Sequence, residues 1–266
     1  MIDLSRLRSG GQKCKFYHCQ DVVLITYKVI APQYYPPNMP TKTRRKQKIP
    51  NIRLIHRQQK WALTAQGWGV AIACLASLII FTLTHIHPFL AVTSPIKADV
   101  LVVEGWLPDY AIKNALLEFE SGSYRQIITT GGPLERGSYL AEYKNFAEIS
   151  AATFKALGLE KEKLVAVPAP DVMKYRTYAS AAAFRQWLSS SDLNLESINL
   201  YTFGVHARRS WLLFKEVLAP TIKVGVIAAE TREYEPKNWW SSSAGVKSVI
   251  SETIAYLYAR FVSLKA

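Results

Sequence analysis

The residues best suited to chemistry lie in the stretch Asn199-Leu-Tyr-Thr-Phe-Gly-Val-His-Ala-Arg-Arg-Ser-Trp211. Its apolar part, Ile198 to Phe203, reads as a buried strand that breaks at Gly204 into a helix opening with His206, Arg208 and Arg209. Ligands of open α/β sheets bind where strands end and helices begin. A helix start already carries partial positive charge, so two arginines there are unfavourable unless an anion lies opposite. The expected chemistry is capture of a phosphate or carboxylate, whose oxygens match a guanidinium in paired hydrogen bonds. Arg209 follows His206 by about one helical turn and shares its face, whereas the adjacent Arg208 points elsewhere.

Further polar residues fall where other apolar runs end. They are Glu104, Gly105 and Trp106; Thr129, Thr130, Gly131 and Gly132, followed by Arg136; Asp171, Arg176 and Thr177; and Glu230. Glu104 and His206 are the candidates for acid–base catalysis. The ligand-binding candidates are Gly105, Thr130, Gly131, Gly132, Arg136, Arg176, Thr177, Arg208 and Arg209, with the bare amides at Gly131 and Gly132 suited to close approach by an anion. Plainer readings stand beside these. Gly131-Gly132 makes an ordinary tight turn, Thr177 makes a helix N-cap, Glu104 makes an ion pair with an arginine, and Trp239-Trp240 makes core packing. His206 is the only histidine after His87, which disfavours a histidine-rich zinc site. The phosphate loop, the dinucleotide glycine fingerprint and the hydrolase nucleophile elbow are all missing from the sequence.

The elements that must position these residues follow from the apolar periodicity. Strand-like runs occur at Asp99–Val103, Arg125–Thr130, Lys163–Val167, Ile198–Phe203 and Ile222–Ala228. Helical spacing follows each, over Asp109–Ser121, Ser138–Leu157, Arg176–Ser189, the segment ending near Leu218, and Val246–Phe261. Strand and helix in regular alternation predict an α/β fold, a Rossmann-like three-layer sandwich with about five parallel strands.

Charge is distributed unevenly. Residues 1–60 hold thirteen Lys or Arg against Asp3 and Asp21, whereas residues 61–266 carry a net charge of only +2. A nucleic-acid-binding domain would place its basic excess on the folded part, so a nucleic-acid partner is not expected. Between Lys60 and Lys97 there is no acidic residue, lysine or arginine, and the segment from Trp68 to Thr84 is almost continuously apolar. It supplies the roughly 20 residues of a bilayer span, too long for a signal peptide and lacking a following Ala-x-Ala. Arg44, Arg45, Lys46, Lys48, Arg53, Arg57 and Lys60 precede it, which places the N-terminus in the cytoplasm and residues 90–266 outside. The expected organisation is a basic tail over 1–60 with little order, a single-pass anchor over 61–90, a linker over 91–97 and an α/β domain over 98–266. Met39 is an alternative start that would leave a short basic leader. Cys14, Cys19 and Cys74 all precede or lie within the span, so no disulfide is expected beyond it.

Four segments resemble the YdcF/SanA/ElyC-like family: Asp99-Val-Leu-Val-Val-Glu-Gly105, Thr130-Gly-Gly132, Arg176-Thr-Tyr-Ala-Ser-Ala181 and Thr202-Phe-Gly-Val-His-Ala-Arg-Arg209. The chain departs from the family pattern at Glu104-Gly105-Trp106, where a Gly-Gly pair is usual, and at Ala179-Ser180, where Glu-Asn is usual. The resemblance implies a Rossmann-like domain, often tethered to the bacterial inner membrane and linked to envelope and peptidoglycan metabolism, including lipid-carrier handling. One branch implies S-adenosylmethionine binding, which an exported domain would not normally meet. The expectation is therefore a bilayer-bound protein whose ligand is a phosphorylated envelope precursor, a polyprenyl phosphate or a sugar phosphate, with hydrolysis or transfer as the chemistry if a bond is broken. The alternatives are a non-enzymatic envelope scaffold and a nucleotide or S-adenosylmethionine binder. No cofactor is named by the residues.

Overall fold

The computed structural model describes residues 63–262 apart from Arg136 and Ser138. These residues belong to one compact unit, Trp61–Ala266. The basic tail, the Met39 start and Arg136 lie outside the described residues.

The first helix, α1 (Ala65–Leu90), opens at Thr64, whose hydroxyl accepts from the Gly67 N–H. It is long and apolar enough to cross a membrane. Its first four turns are exposed all round, with Trp68, Ile72, Leu75, Ile79 and Phe81 uncovered. Only the last two turns pack: Leu83, Ile86 and Leu90 lie against Val205, Tyr234, Trp239 and Val249. Beyond α1 the chain runs antiparallel to the last strand, bridging Ser94 to Val226. Asn199 holds this connection by accepting from the Ile96 N–H at 3.0 Å and donating to the Ile96 carbonyl at 2.9 Å.

Five strands follow, β1 (Val100–Glu104), β2 (Gln126–Gly131), β3 (Leu164–Pro168), β4 (Ser197–Phe203) and β5 (Lys223–Ala229), in the order β3-β2-β1-β4-β5. Every pairing is parallel. The order reverses at β1, whose neighbours β2 and β4 lead away on opposite sides, so the switch point lies between the ends of β1 and β4. The expected α/β parallel-sheet fold is present.

The strands carry Val and Ile on both faces because both are covered. On one face, α2 (Asp109–Ser121) and α3 (Phe146–Ala156) bury Ile112, Leu116, Phe119 and Phe154 against Leu101, Val103 and Ile127. On the other, α4 (Arg176–Ser189) and α5 (Ala207–Leu218) bury Phe184 and Phe214 against Val102, Ile128 and Leu200.

Two expectations need correction. The second domain helix begins at Phe146 rather than Ser138, because Asn145 caps it by accepting from the Glu148 N–H at 2.8 Å, and Asn145 also bridges Pro133. Thr177 is not an N-cap: α4 is entered through Tyr175 in a left-handed conformation, φ 59°, with no side-chain cap, and Thr177 lies inside the helix. The last helix, α6 (Ser243–Phe261), covers neither face of the sheet core. It packs instead with the end of α1 and the 3-10 turn Pro236–Ser241.

Candidate functional site

Glu104 ends β1 and is 2% exposed. A buried carboxylate needs partners, and two hydroxyls supply them. Thr202 of β4 donates to Oε2 in a short hydrogen bond, and Ser210 of α5 reaches Oε1 at 3.1 Å and Oε2 at 3.2 Å. Among the described residues no arginine bonds Glu104, and hydroxyl donors from strand and helix across the switch point take the place of the expected ion pair.

His206 closes the 3-10 turn Gly204–His206 between β4 and α5. Its Nε2 lies 3.8 Å from Glu104 Oε2, is buried, and has no hydrogen-bond partner among the described residues. Its Nδ1 meets Glu252 Oε1 of α6 at 3.0 Å and Arg209 Nη2 at 2.9 Å. Arg209 completes the cluster by donating to Glu252 twice, from Nε at 2.9 Å and Nη2 at 3.0 Å. This two-point geometry is the strong form of the carboxylate–guanidinium pair. Burial pushes the Glu252 carboxyl up, but the hydrogen bonds and charges of His206 and Arg209 together outweigh it and hold the group down at about 2.

The cluster borders a cleft of about 220 Å³, lined in part by Trp106, Phe203, Tyr234, Ser248 and Ser251. Trp106 stands edge-on to the His206 ring, with centroids 5.1 Å apart. Burial, with help from Glu233, pushes the Tyr234 phenol up to about 12, so it remains a donor at neutral pH. The imidazole thus lies between two carboxylates, with Glu252 and Arg209 at Nδ1 on the cleft side and Glu104 behind the buried Nε2. Among the described residues no group of three or more His, Cys, Asp or Glu is placed to hold a metal ion.

The other expected site residues are distributed differently. Arg208 turns away from the cleft: its Nε donates to the Phe89 carbonyl of α1 at 2.7 Å, and its guanidinium lies over the Phe89 ring at 4.2 Å. Arg176 pairs with Glu135, and both side chains are largely exposed. Thr130 is buried, its hydroxyl 3.4 Å from the Ser180 carbonyl.

Gly105 and Gly131 serve the packing of α3. A methyl group at Gly105 would fall on the Phe146 carbonyl, and one at Gly131 would lie 2.8 Å from Phe146 Cβ. The start of α3 therefore occupies the space expected for an anion beside these two glycines. Gly132 is open, its nearest neighbour 4.0 Å away. His206 and Arg209 are thus brought together with Glu104 and Glu252, but among the described catalytic and ligand-binding candidates His206 alone lines the cleft.

Sequence reasoning missed Glu252, Thr202 and Ser210. A signal for Glu252 existed, since it is the sole acidic residue in α6, and an isolated acid on a largely apolar helix calls for a partner. No family model matches this chain, and no curated protein matches it.

Proposed function

We propose that this chain is a membrane-tethered envelope protein of YdcF/SanA/ElyC-like type that binds a phosphorylated, lipid-carried precursor in the cleft between β4 and α6. His206 is its proton-transferring group, through Nδ1 once the ligand takes the place of Glu252, with the Glu104 carboxyl behind the ring at 3.8 Å from Nε2. One observation carries the reading: the turn that forms the site also grips the apolar helix. Val205 packs on Leu90 and Arg208 bonds Phe89, while His206 lines the cleft and Arg209 stands behind it, bonded to His206 and Glu252. A ligand carried in the bilayer plane would meet the site about two helical turns beyond the exposed part of α1, where Phe89 and Leu90 touch the site turn and α5. The phosphate exchanges for the Glu252 carboxylate on Arg209 and His206, since a carboxylate and a phosphate present oxygens to a guanidinium in the same two-point fashion. Trp106, Tyr234 and the two serines supply the aromatic and hydroxyl surface for a sugar or isoprenoid portion.

The test is thermal melting of the full chain in detergent with polyprenyl phosphates, sugar phosphates and nucleotides, in wild type and His206→Gln. A ligand that binds the folded state raises the melting temperature. The reading expects a rise with the phosphorylated lipid in wild type that His206→Gln reduces. An unchanged melting temperature with every phosphorylated lipid overturns it.

A further inference from the structure

The anchor meets the domain without a spacer. The freely exposed part of α1, Ala65 to Thr82, spans about 27 Å at the helical rise, close to the roughly 30 Å of a bilayer's hydrocarbon core. The next residue, Leu83, is already in the domain: its carbonyl accepts from Trp239 Nε1 at 2.9 Å. If α1 spans, the turn Pro236–Ser241 lies at the level of the headgroups, where tryptophan concentrates. Trp240, beside Trp239, is 40% exposed there.

Helix α6 continues this surface. Phe89 packs edge-on against Tyr256 at 5.5 Å, so α1 covers one side of α6. Glu252 points to the site on another side. The remaining side is apolar and uncovered, with Ile250, Ile254, Leu257 and Phe261 exposed at i, i+4, i+7 and i+11. The exposed charges of α6 are Lys247 and Arg260, both cationic. An apolar stripe with basic flanks is the pattern of a helix that lies in the membrane interface.

From this we infer that α6 and Trp240 form a lipid-docking surface, seated in the headgroup and acyl boundary of an anionic leaflet, which holds the cleft against the bilayer. The inference rests on the membrane-tethered reading above and goes beyond it. The stripe belongs to lipid rather than to a second protein because it adjoins the point where α1 enters the domain and the exposed charges of α6 itself, Lys247 and Arg260, are both positive, the acids Glu233 and Glu235 lying on the preceding loop.

Site-directed spin labelling of the full chain tests it, with Cys14, Cys19 and Cys74 replaced by alanine. The chain is reconstituted in phosphatidylcholine vesicles containing phosphatidylglycerol. Labels go at Trp240→Cys, Ile250→Cys, Ile254→Cys and Leu257→Cys, with Ile79→Cys as the reference within α1. Glu120→Cys, at the opposite end of the sheet, is the aqueous reference. The surface labels are expected to relax faster with oxygen than with a water-soluble nickel chelate, as at position 79, with the order reversed at position 120. Removing phosphatidylglycerol should shift the surface labels toward the aqueous order. If position 79 is lipid-like but the surface labels match position 120, docking is wrong and the tether stands. If position 79 itself is aqueous, tether and docking both fail. Dipolar broadening between copies, with shielding from both relaxants, assigns the stripe to a second protein chain and overturns the inference.

Discussion

Arg209 holds Glu252 at two points, Nε to Oε2 at 2.9 Å and Nη2 to Oε1 at 3.0 Å, across the gap between α5 and α6. Their side chains are only 20% and 18% exposed, so neither charge is well solvated if the other is removed. Breaking a buried pair by deleting one partner typically costs about 3 kcal/mol. Glu252→Ala should therefore lower stability by roughly that amount, measured by chemical denaturation in detergent. A loss below about 0.5 kcal/mol would mean the pair is as weak as a surface one.

The same carboxyl gives a pH dependence with a definite sign. Its value in the fold is about 2 against an ordinary 4.5. A depressed folded value stabilises above the unfolded value, and the benefit is lost as pH falls from about 4.5 toward 2. The shift corresponds to about 3 kcal/mol. Melting curves across that window should fall more steeply for wild type than for Glu252→Gln. Parallel curves would show that Glu252 does not titrate as an ion-paired group.

The glycines separate packing from ligand binding. Gly105→Ala drives a methyl group onto the Phe146 carbonyl and should cost about 2 kcal/mol through displacement of the start of α3. Gly132→Ala, with only a neighbour at 4.0 Å, should be close to neutral. Equal melting temperatures for the two variants would show that α3 does not confine Gly105.

Asn199 ties the connection after α1 to the sheet. Replacing it by leucine removes both bonds to Ile96 and the 2.8 Å bond that Nδ2 donates to the Tyr124 hydroxyl. Two backbone groups and a half-buried phenol lose partners, and a loss of about 2–3 kcal/mol is expected. Hydrogen exchange should accelerate at Ile96 and its neighbours before the rest of the sheet; unchanged exchange there would contradict the tie.

The sheet was legible because buried parallel strands require runs such as Val100-Leu-Val-Val103 and Ile198-Asn-Leu-Tyr201, and the helices between them keep an apolar stripe. The start of α3 was not, since Tyr139, Leu140 and Tyr143 mimic helical spacing although Asn145 fixes the cap. His206 and Arg209 were legible as a pair because one helical turn joins them. The identity of the anion was not: a helix 43 residues further on brings an internal carboxylate to Arg209, and local spacing carries no information about that contact. Arg176 reads as a site residue because local spacing is equally blind to Glu135, with which it pairs at the surface.

The most direct test of the proposed site uses two adjacent arginines with opposite assignments. Binding of a short-chain polyprenyl phosphate to the full chain in detergent is measured by titration calorimetry for wild type, Arg208→Ala and Arg209→Ala. Arg208 grips Phe89 whereas Arg209 holds Glu252 and His206 of the cleft wall, so Arg208→Ala should keep wild-type affinity while losing about 1 kcal/mol of stability. Arg209→Ala should weaken binding by about tenfold or more, as expected for loss of a charge-assisted contact worth about 1.5–3 kcal/mol. Equal affinity in wild type and Arg209→Ala would contradict the proposed phosphate site.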